Sequence, residues 1–417
     1  MSRVLRVEFG GEIVGRLEEG GDGRLSFIYA AAWLASPSAF AISASLPLQP
    51  ETFEDRRPQA FFGGLLPEGE TRQRLARRLG ISEKNDFSLL DKIGGDCAGA
   101  LSLVGEDEQD FPKSQGREKL DDKALETLIG ELPAFPLLTA SGSMRRLSLA
   151  GAQTKLALVY EQGAYFLPAS DEATTHIIKI ANKEFDDLVY NELLCMRLAK
   201  YAGLNVATVE PDRAGDQRFL RIERYDRHQD VAGRASRVHQ EDFCQALGIV
   251  AGNKYQVEGG PGFRDCVHLI RELSSYWAID LEQFLRLMAF NFYIGNCDAH
   301  GKNFAFLRNL GHVKLTPAYD LVSTAVYPEL SHHMAMKIGG QTDPGLVTKQ
   351  EWQQLAVELN ITEKHLFGDL KNIAFYLEDG LPKVIKDLEE KGWPSPIYPK
   401  IRDHVLARIR QQRDAQT

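Results

Sequence analysis

Asp298, Asn303 and Asp320 are the residues whose types and spacing can do chemistry together. They stand in Asn296-Cys-Asp-Ala-His-Gly-Lys-Asn303 and in Pro317-Ala-Tyr-Asp-Leu321. That chemistry is phosphoryl transfer: one carboxylate takes the proton of an attacking hydroxyl, while a carboxamide and a second carboxylate give Mg²⁺ hard oxygen ligands. The Asp-x-x-x-x-Asn spacing is that of a kinase catalytic loop, although the words His-Arg-Asp and Asp-Phe-Gly are missing from the sequence. Taken alone, an Asp and an Asn in a turn also read as capping and loop residues.

The elements around the trio are those a catalytic loop needs. Leu281, Phe284, Leu285, Leu287, Met288, Phe290 and Ile294 follow helical spacing with apolar residues on most sides, the pattern of a buried helix, and Gly295-Asn296 ends it. Phe304-Ala-Phe-Leu307 then reads as a strand, so the polar cluster is a short loop held between core elements. Upstream, Ala150, Gly151 and Ala152 precede a strand running to Tyr160, and such small residues let backbone N–H groups approach phosphate; a plain hairpin turn is the alternative. Lys179 lies in the strand-like Thr175-His-Ile-Ile-Lys-Ile180, as a phosphate-binding lysine or as an edge-strand residue facing water. A helix from Asp187 to Tyr201 offers Glu192 as its partner, with Glu184 competing. Glu241, Asp242 and Phe243 fall where a kinase chain crosses between lobes, and backbone groups there can meet an adenine ring. The charges of Arg218 to Arg227 read as a surface strand with ion pairs of little energetic weight. The adjacent His332 and His333 do not share a helix face and are not read as a metal site.

The whole chain bounds the classes. Its 417 residues suffice for two or three domains, and 43% hydrophobic with 26% charged residues fits an ordinary globular protein. A formal charge of −9 argues against coating nucleic acid by bulk charge. The scattered Cys97, Cys195, Cys244, Cys266 and Cys297 form no Cys-x-x-Cys pair, so neither a disulfide framework nor zinc is indicated. With no signal-peptide core and no apolar run of membrane length, a cytoplasmic location is expected. We divide the chain into residues 1–108, a β-rich module with a meander; 109–245, carrying the small-residue loop and strand lysine; and 246–417, mostly helical with the catalytic and metal loops. A basic helix opens near Pro67 and stops at Gly80; its arginines are either an anion surface or a solvated face. The polar stretch from Gly105 to Gly116 reads as a linker or long surface loop, and Thr348-x-x-Glu351 as a capping box.

Several segments together resemble the HipA family, the serine/threonine-kinase toxins of HipA–HipB toxin–antitoxin pairs. They are Phe62-Gly-Gly-Leu-Leu-Pro-Glu-Gly, Ile93-Gly-Gly-Asp-Cys-Ala-Gly-Ala, Ser148-Leu-Ala-Gly-Ala-Gln-Thr-Lys, Thr175-His-Ile-Ile-Lys, Glu241-Asp-Phe-Cys-Gln, Gly259-Gly-Pro-Gly and the two loops above. The resemblance spans nearly the full length. It implies an α+β, two-lobed protein-kinase-like fold with an amino-terminal β-rich subdomain and a mostly helical C-terminal lobe. It implies ATP and Mg²⁺ as cofactors, Asp298 as the catalytic residue, and Asn303 and Asp320 as metal ligands. Lys179 would contact ATP, Glu241 to Phe243 would line the hinge, and Ala150, Gly151, Ala152, Gln153, His300, Lys302 and Tyr319 complete the implied nucleotide site. Ser148 matches a serine such kinases phosphorylate on themselves, which switches them off, and Arg145-Arg146 either holds that phosphate or is exposed. A HipB-like helix-turn-helix antitoxin, operator DNA bound mainly through it, and a protein substrate such as glutamyl-tRNA synthetase are the implied partners. Ala299 departs from the pattern, since many relatives carry Arg or a larger residue there. A kinase-fold scaffold acting as corepressor and a small-molecule kinase are the competing readings.

Overall fold

The computed structural model describes residues 3–106, 116–133, 150–151, 153–169, 172–180, 185, 187–229, 235–309 and 311–416. The chain divides into two compact units: residues 1–182, 212–252 and 307–311 form the first, and residues 183–211, 253–306 and 312–417 the second. Among the described residues no helix is long and apolar enough to cross a membrane. All five cysteines are free and buried.

The first unit is built on two antiparallel sheets. β1 (Arg3–Phe9), β2 (Glu12–Glu19), β3 (Leu25–Tyr29) and β4 (Leu101–Gly105) lie in the order β3-β2-β1-β4, so the predicted meander is completed by a strand from beyond the basic helix. Leu5 and Val7, and Leu25 and Phe27, alternate along their strands, Val14 and Leu17 reach the same core across a register shift in the β1–β2 pairing, and Phe53, Phe61 and Phe62 join them. A six-stranded sheet holds β5 (Glu118–Leu120), β6 (Lys155–Glu161), β7 (Ala164–Leu167), β8 (His176–Ile180), β9 (Val209–Ala214) and β10 (Gln217–Glu223) in the order β5-β7-β6-β8-β10-β9. Its own core takes Leu156, Leu158, Ile178, Ile180 and Phe219 against Leu125 and Ile129 of the helix Asp122–Glu131.

The basic helix runs Gly69–Leu79 and ends at Gly80 in the left-handed conformation. Arg72 pairs with Asp86, and Arg74 reaches Glu70 and the Pro133 carbonyl. Arg72 and Arg74 are therefore bound within the fold rather than offered as an anion surface.

The segment after β10 corrects the surface-strand reading. Arg224, Asp226 and Asp96 are each only 4% exposed. Arg224 donates to both oxygens of Asp226 at 3.0 and 2.7 Å, Arg227 and Arg237 donate to Asp96 Oδ1 at 3.1 and 2.9 Å, and the Gly99 N–H donates to Asp226 at 2.9 Å. The Gly-Gly-Asp-Cys-Ala-Gly motif thus supplies the counter-charge and backbone donor for a buried ionic cluster.

Glu241, Asp242 and Phe243 have structural side chains. Glu241 is fully buried and accepts from Arg308 Nε at 2.8 Å, Ser43 Oγ at 2.7 Å and the Ala44 N–H at 3.0 Å. Asp242 caps the short helix Phe243–Leu247 through the Gln245 N–H, and Phe243 is fully buried. These side chains brace the unit.

His239, beside them, is 1% exposed and donates from Nε2 to the Ile42 carbonyl at 2.7 Å, while Nδ1 has no hydrogen-bond partner. Burial, with Arg308 adding to it, pushes this imidazole down to about 4. A histidine whose folded pKa lies below its unfolded value of roughly 6.5 contributes stability above that value, and this is lost as pH falls toward 4. We expect on the order of 3 kcal/mol to disappear across that window. Urea titrations at several pH values between 7 and 4 check it: His239→Gln should flatten the slope, and identical slopes would contradict the assignment.

The second unit is mostly helical. The helices Leu188–Tyr201, Phe263–Leu273, Trp277–Ile294, Lys349–Leu359, Glu363–Glu390 and Ile397–Gln416 make it up. Thr348 and Glu351 form the expected capping box. Trp277–Ile294 is the buried helix the sequence predicts, with every residue from Leu287 to Ile294 buried.

Candidate active site

The loop carrying Asp298 is fixed where it leaves the buried helix by partners from the helix itself and from Thr324 and Ala335. Gly295 ends the buried helix at φ +70°, and a Cβ there would stand 2.3 Å from His404 Nε2 and 2.7 Å from the Ala325 Cβ, so only glycine fits. Asn296 donates to Asn291 Oδ1 at 3.0 Å and accepts from the Asp298 N–H at 3.2 Å. Thr324 Oγ1 takes the Cys297 N–H at 2.8 Å and donates to the Gly295 carbonyl at 3.1 Å. The Ala335 N–H holds the Cys297 carbonyl at 2.9 Å. On this support the Asp298 side chain is 53% exposed, whereas His300 and Lys302 are buried. A solvent-facing carboxylate on a rigid loop can reach an incoming hydroxyl.

The structure brings Asp298, His300, Lys302, Asn303, Tyr319 and Asp320 together within the second unit. His300 Nε2 lies 4.0 Å from Asp298 Oδ1, and the His300 N–H donates to Asn303 Oδ1 at 3.2 Å. Tyr319 donates its hydroxyl to the Lys302 carbonyl at 2.7 Å. Asn303 Nδ2 donates to Asp320 Oδ2 at 3.2 Å. Asn303 Oδ1 thus accepts the His300 N–H while its amide stands against Asp320, and the two side chains bring hard oxygen donors of the kind Mg²⁺ takes to one spot. Asp320 itself stands at φ +58°, a left-handed backbone uncommon outside glycine, asparagine and aspartate. Strain of this kind, of order 1–3 kcal/mol, gathers at functional sites.

The first unit carries the residues predicted for phosphate. β8 is flanked by β6 and β10, so Lys179 sits on an inner strand and is 6% exposed, which removes the edge-strand alternative. Lys155 of β6 stands directly opposite Lys179 across the ladder. Directly opposed residues share a sheet face, and two like charges there repel unless anionic groups lie between or above them. Lys155 Nζ donates to the Ala150 carbonyl at 2.6 Å, and a Cβ on Gly151, whose φ is +100°, would come within 2.7 Å of that nitrogen. Gln153 Nε2 reaches the Ile180 carbonyl at 3.5 Å. The Gly151 carbonyl accepts the Glu68 N–H at 3.1 Å and Pro67 bridges Gly151 in parallel register, which gives the Leu-Leu-Pro-Glu-Gly segment its place.

Ser148, Arg145, Arg146, Ala152 and Glu184 lie outside the described residues. Glu192 is fully buried on the helix Leu188–Tyr201. Two residues escape the sequence reading. Lys155 has a signal, since it ends the small-residue motif at the start of a strand. Tyr255 has none: its hydroxyl donates to Asp298 Oδ1 at 2.5 Å from a distant segment.

Fold and site define a kinase-like α+β protein with a β-rich amino-terminal part and a helical C-terminal part. The chain belongs to the HipA family: the HipA N-terminal domain matches residues 5–104 and the HipA-like C-terminal domain residues 147–379. It is 41% identical over 412 residues to a putative kinase, Y4mE, of Sinorhizobium fredii, covering 98% of each chain. It is 32% identical over 361 residues to the serine/threonine-protein kinase toxin HipA of Shewanella oneidensis, covering 84% of this chain and 82% of that one. The solved Shewanella oneidensis complex of HipA, HipB and operator DNA matches with a TM-score of 0.83 at 27% identity, over 98% of this chain and 97% of that chain.

Proposed function

We propose that this protein is an ATP-dependent serine/threonine-protein kinase of toxin type, transferring the γ-phosphate to a serine of a protein target. The observation that carries the reading is the exposed Asp298 carboxylate on an immobilised loop, with the Asn303–Asp320 pair fixed on the same support. In this mechanism the acceptor oxygen bonds to the γ-phosphorus as the bond to the β,γ-bridging oxygen breaks, ADP leaves, and the acceptor proton passes to Asp298. Asn303 and Asp320 would hold Mg²⁺, which offsets the charge of the phosphates when bound. Lys179, Lys155 and the Ala150–Gly151 backbone bind and orient the phosphates, and positioning with electrostatics supplies most of the acceleration. Residues 1–108, 109–245 and 246–417 remain our functional division of the chain.

Labelled ATP and Mg²⁺ added to a cell lysate test the reading. Wild type should label a protein acceptor, and Asp298→Asn should lower the rate by roughly 10²–10⁴-fold, the usual worth of a general base. Equal labelling by both, or none by either, counts against the enzyme. Glutamyl-tRNA synthetase is the acceptor to examine first, with inhibition of translation as the consequence; phosphoproteomics against the Asp298→Asn control identifies the true one. Phosphorylation of Ser148 would add about −1.5 to −2 charge beside the phosphate loop and so oppose nucleotide binding.

A second reading is a scaffold that joins a HipB-like antitoxin on operator DNA. The Shewanella oneidensis relative was solved in such an assembly, which favours that partner here whether or not the chain is active. ATP affinity measured with and without Mg²⁺ separates the two readings, since a scaffold needs no metal-dependent binding.

A further inference from the structure

We propose that Tyr255 is a positioning residue of this site, holding Asp298 by one carboxylate oxygen so that the other is presented to the acceptor hydroxyl. The proposal rests on the kinase reading for its purpose, but the contact stands on its own geometry. The Tyr255 hydroxyl donates to Asp298 Oδ1 at 2.5 Å, and its ring meets the His300 ring edge-on at 5.3 Å between centroids and 83° between planes. One aromatic side chain thus touches both polar residues of the loop motif that flank Ala299. Asp298 is half in solvent, where a free carboxylate samples several rotamers, and a bond from a stiff phenol confines it at little entropic cost.

The segment bearing Tyr255 is built to be stiff. Its carbonyl accepts the N–H groups of Glu258 and Gly260, both at 2.9 Å. Gln256, next to it, donates its N–H to the Ala335 carbonyl at 3.0 Å and accepts the Lys337 N–H at 2.6 Å. Ala335 is the residue whose N–H holds the Cys297 carbonyl, so one strip of backbone registers Tyr255 and the catalytic loop against each other. The Gly259-Gly-Pro-Gly motif finds its reason here. A Cβ on Gly260 would stand 2.5 Å from the Asn253 carbonyl oxygen and 2.6 Å from the Lys254 carbonyl carbon, and one on Gly262 would stand 2.5 Å from Gln256 Nε2. These glycines let the chain fold back tightly behind Tyr255.

A hydroxyl donating to the ionised carboxylate favours the charged form. Its removal raises the proton affinity of Asp298 and frees its rotamer. Among the described residues, His300, Cys297 and Lys254, whose Nζ lies 5.5 Å from the Tyr255 ring centre, are titratable or charged groups facing this spot. All three are unchanged in a tyrosine variant and cancel in the comparison.

Tyr255→Phe is the test, with Gly260→Ala as a second route to the same displacement. By carbon-13 NMR, the Asp298 carboxyl should titrate about half to one pH unit higher in Tyr255→Phe than in wild type. With Mg²⁺–ATP and dephosphorylated casein as a generic acceptor, kcat should fall about tenfold while KM for ATP stays within twofold, a split that a merely structural residue would not give. The acid limb of the kcat profile should move up with the NMR titration. An unmoved Asp298 titration overturns the proposal whatever the activity. So does a Tyr255→Phe rate equal to or above wild type when Asp298→Asn is inactive. If instead Asp298→Asn retains full activity, the kinase reading of that residue fails while the NMR result still judges the contact.

Discussion

Asp320→Gly is expected to abolish phosphoryl transfer while leaving the protein as stable as wild type, or nearly so. Two effects act in opposite directions on the fold. The substitution removes the Asn303–Asp320 hydrogen bond, a partly exposed contact of roughly 0.5–1.5 kcal/mol, and adds freedom to the unfolded chain. It also relieves a non-glycine residue at φ +58°. The net change should lie within about 1 kcal/mol of zero. Asp320→Ala loses the same hydrogen bond without that relief, and should be less stable than the glycine variant by about 1 kcal/mol. Both variants lose the only carboxylate of the proposed metal pair, and activity should fall roughly 10³-fold or more. Thermal melts beside labelled-ATP assays check it. An active Asp320→Gly would exclude the metal role, and a glycine variant less stable than the alanine variant would exclude the strain.

The largest loss of stability is expected at Asp226. Asp226 is held by Arg224 and Arg227 and by the Gly99 N–H, and the two arginines hold its carboxyl far below the usual carboxylate range despite the opposing effect of burial. Removing that carboxylate by Asp226→Ala leaves Arg224, Arg227 and Arg237 around Asp96 alone, two of them fully inside the protein. An uncompensated buried charge of this kind costs about 3–5 kcal/mol, a large share of a typical domain's stability. Urea unfolding should show a lower midpoint at an unchanged slope. Arg224→Ala and the double variant complete the cycle, and the double should be far less damaging than the sum of the singles. A loss under about 1 kcal/mol would return the segment to the surface-pair class.

That cluster also shows what sequence conveys and what it withholds. The loop bearing Asp298 is legible as a loop between core elements because its signals are local: a buried helix, a glycine stop, polar residues at fixed spacing and a following strand. The meander, the Gly80 stop and the Thr348 capping box are local in the same sense. Arg224, Asp226 and Arg227 look like surface charge, because their burial depends on Asp96, which arrives from far along the chain. Glu241 reads as a candidate hinge residue for the same reason; its partners Ser43 and Arg308 lie far to either side. Lys179 could be assigned to an inner strand only once β10 was seen to close over β8, and Tyr255 carries no spacing relative to Asp298.

The bridge from Pro67 to Gly151 bears on how far this chain can be divided. Family boundaries at residues 5–104 and 147–379 suggest two exchangeable cassettes. A fragment cut at the second boundary would leave behind the Glu68 N–H that the Gly151 carbonyl accepts, and would strand three arginines without Asp96. Grafting an amino-terminal cassette from one relative onto another therefore requires the incoming cassette to bring a turn and an acid that match Gly151 and the three arginines of the recipient, so drift at Pro67, Glu68 and Asp96 is restrained by residues they never join in sequence.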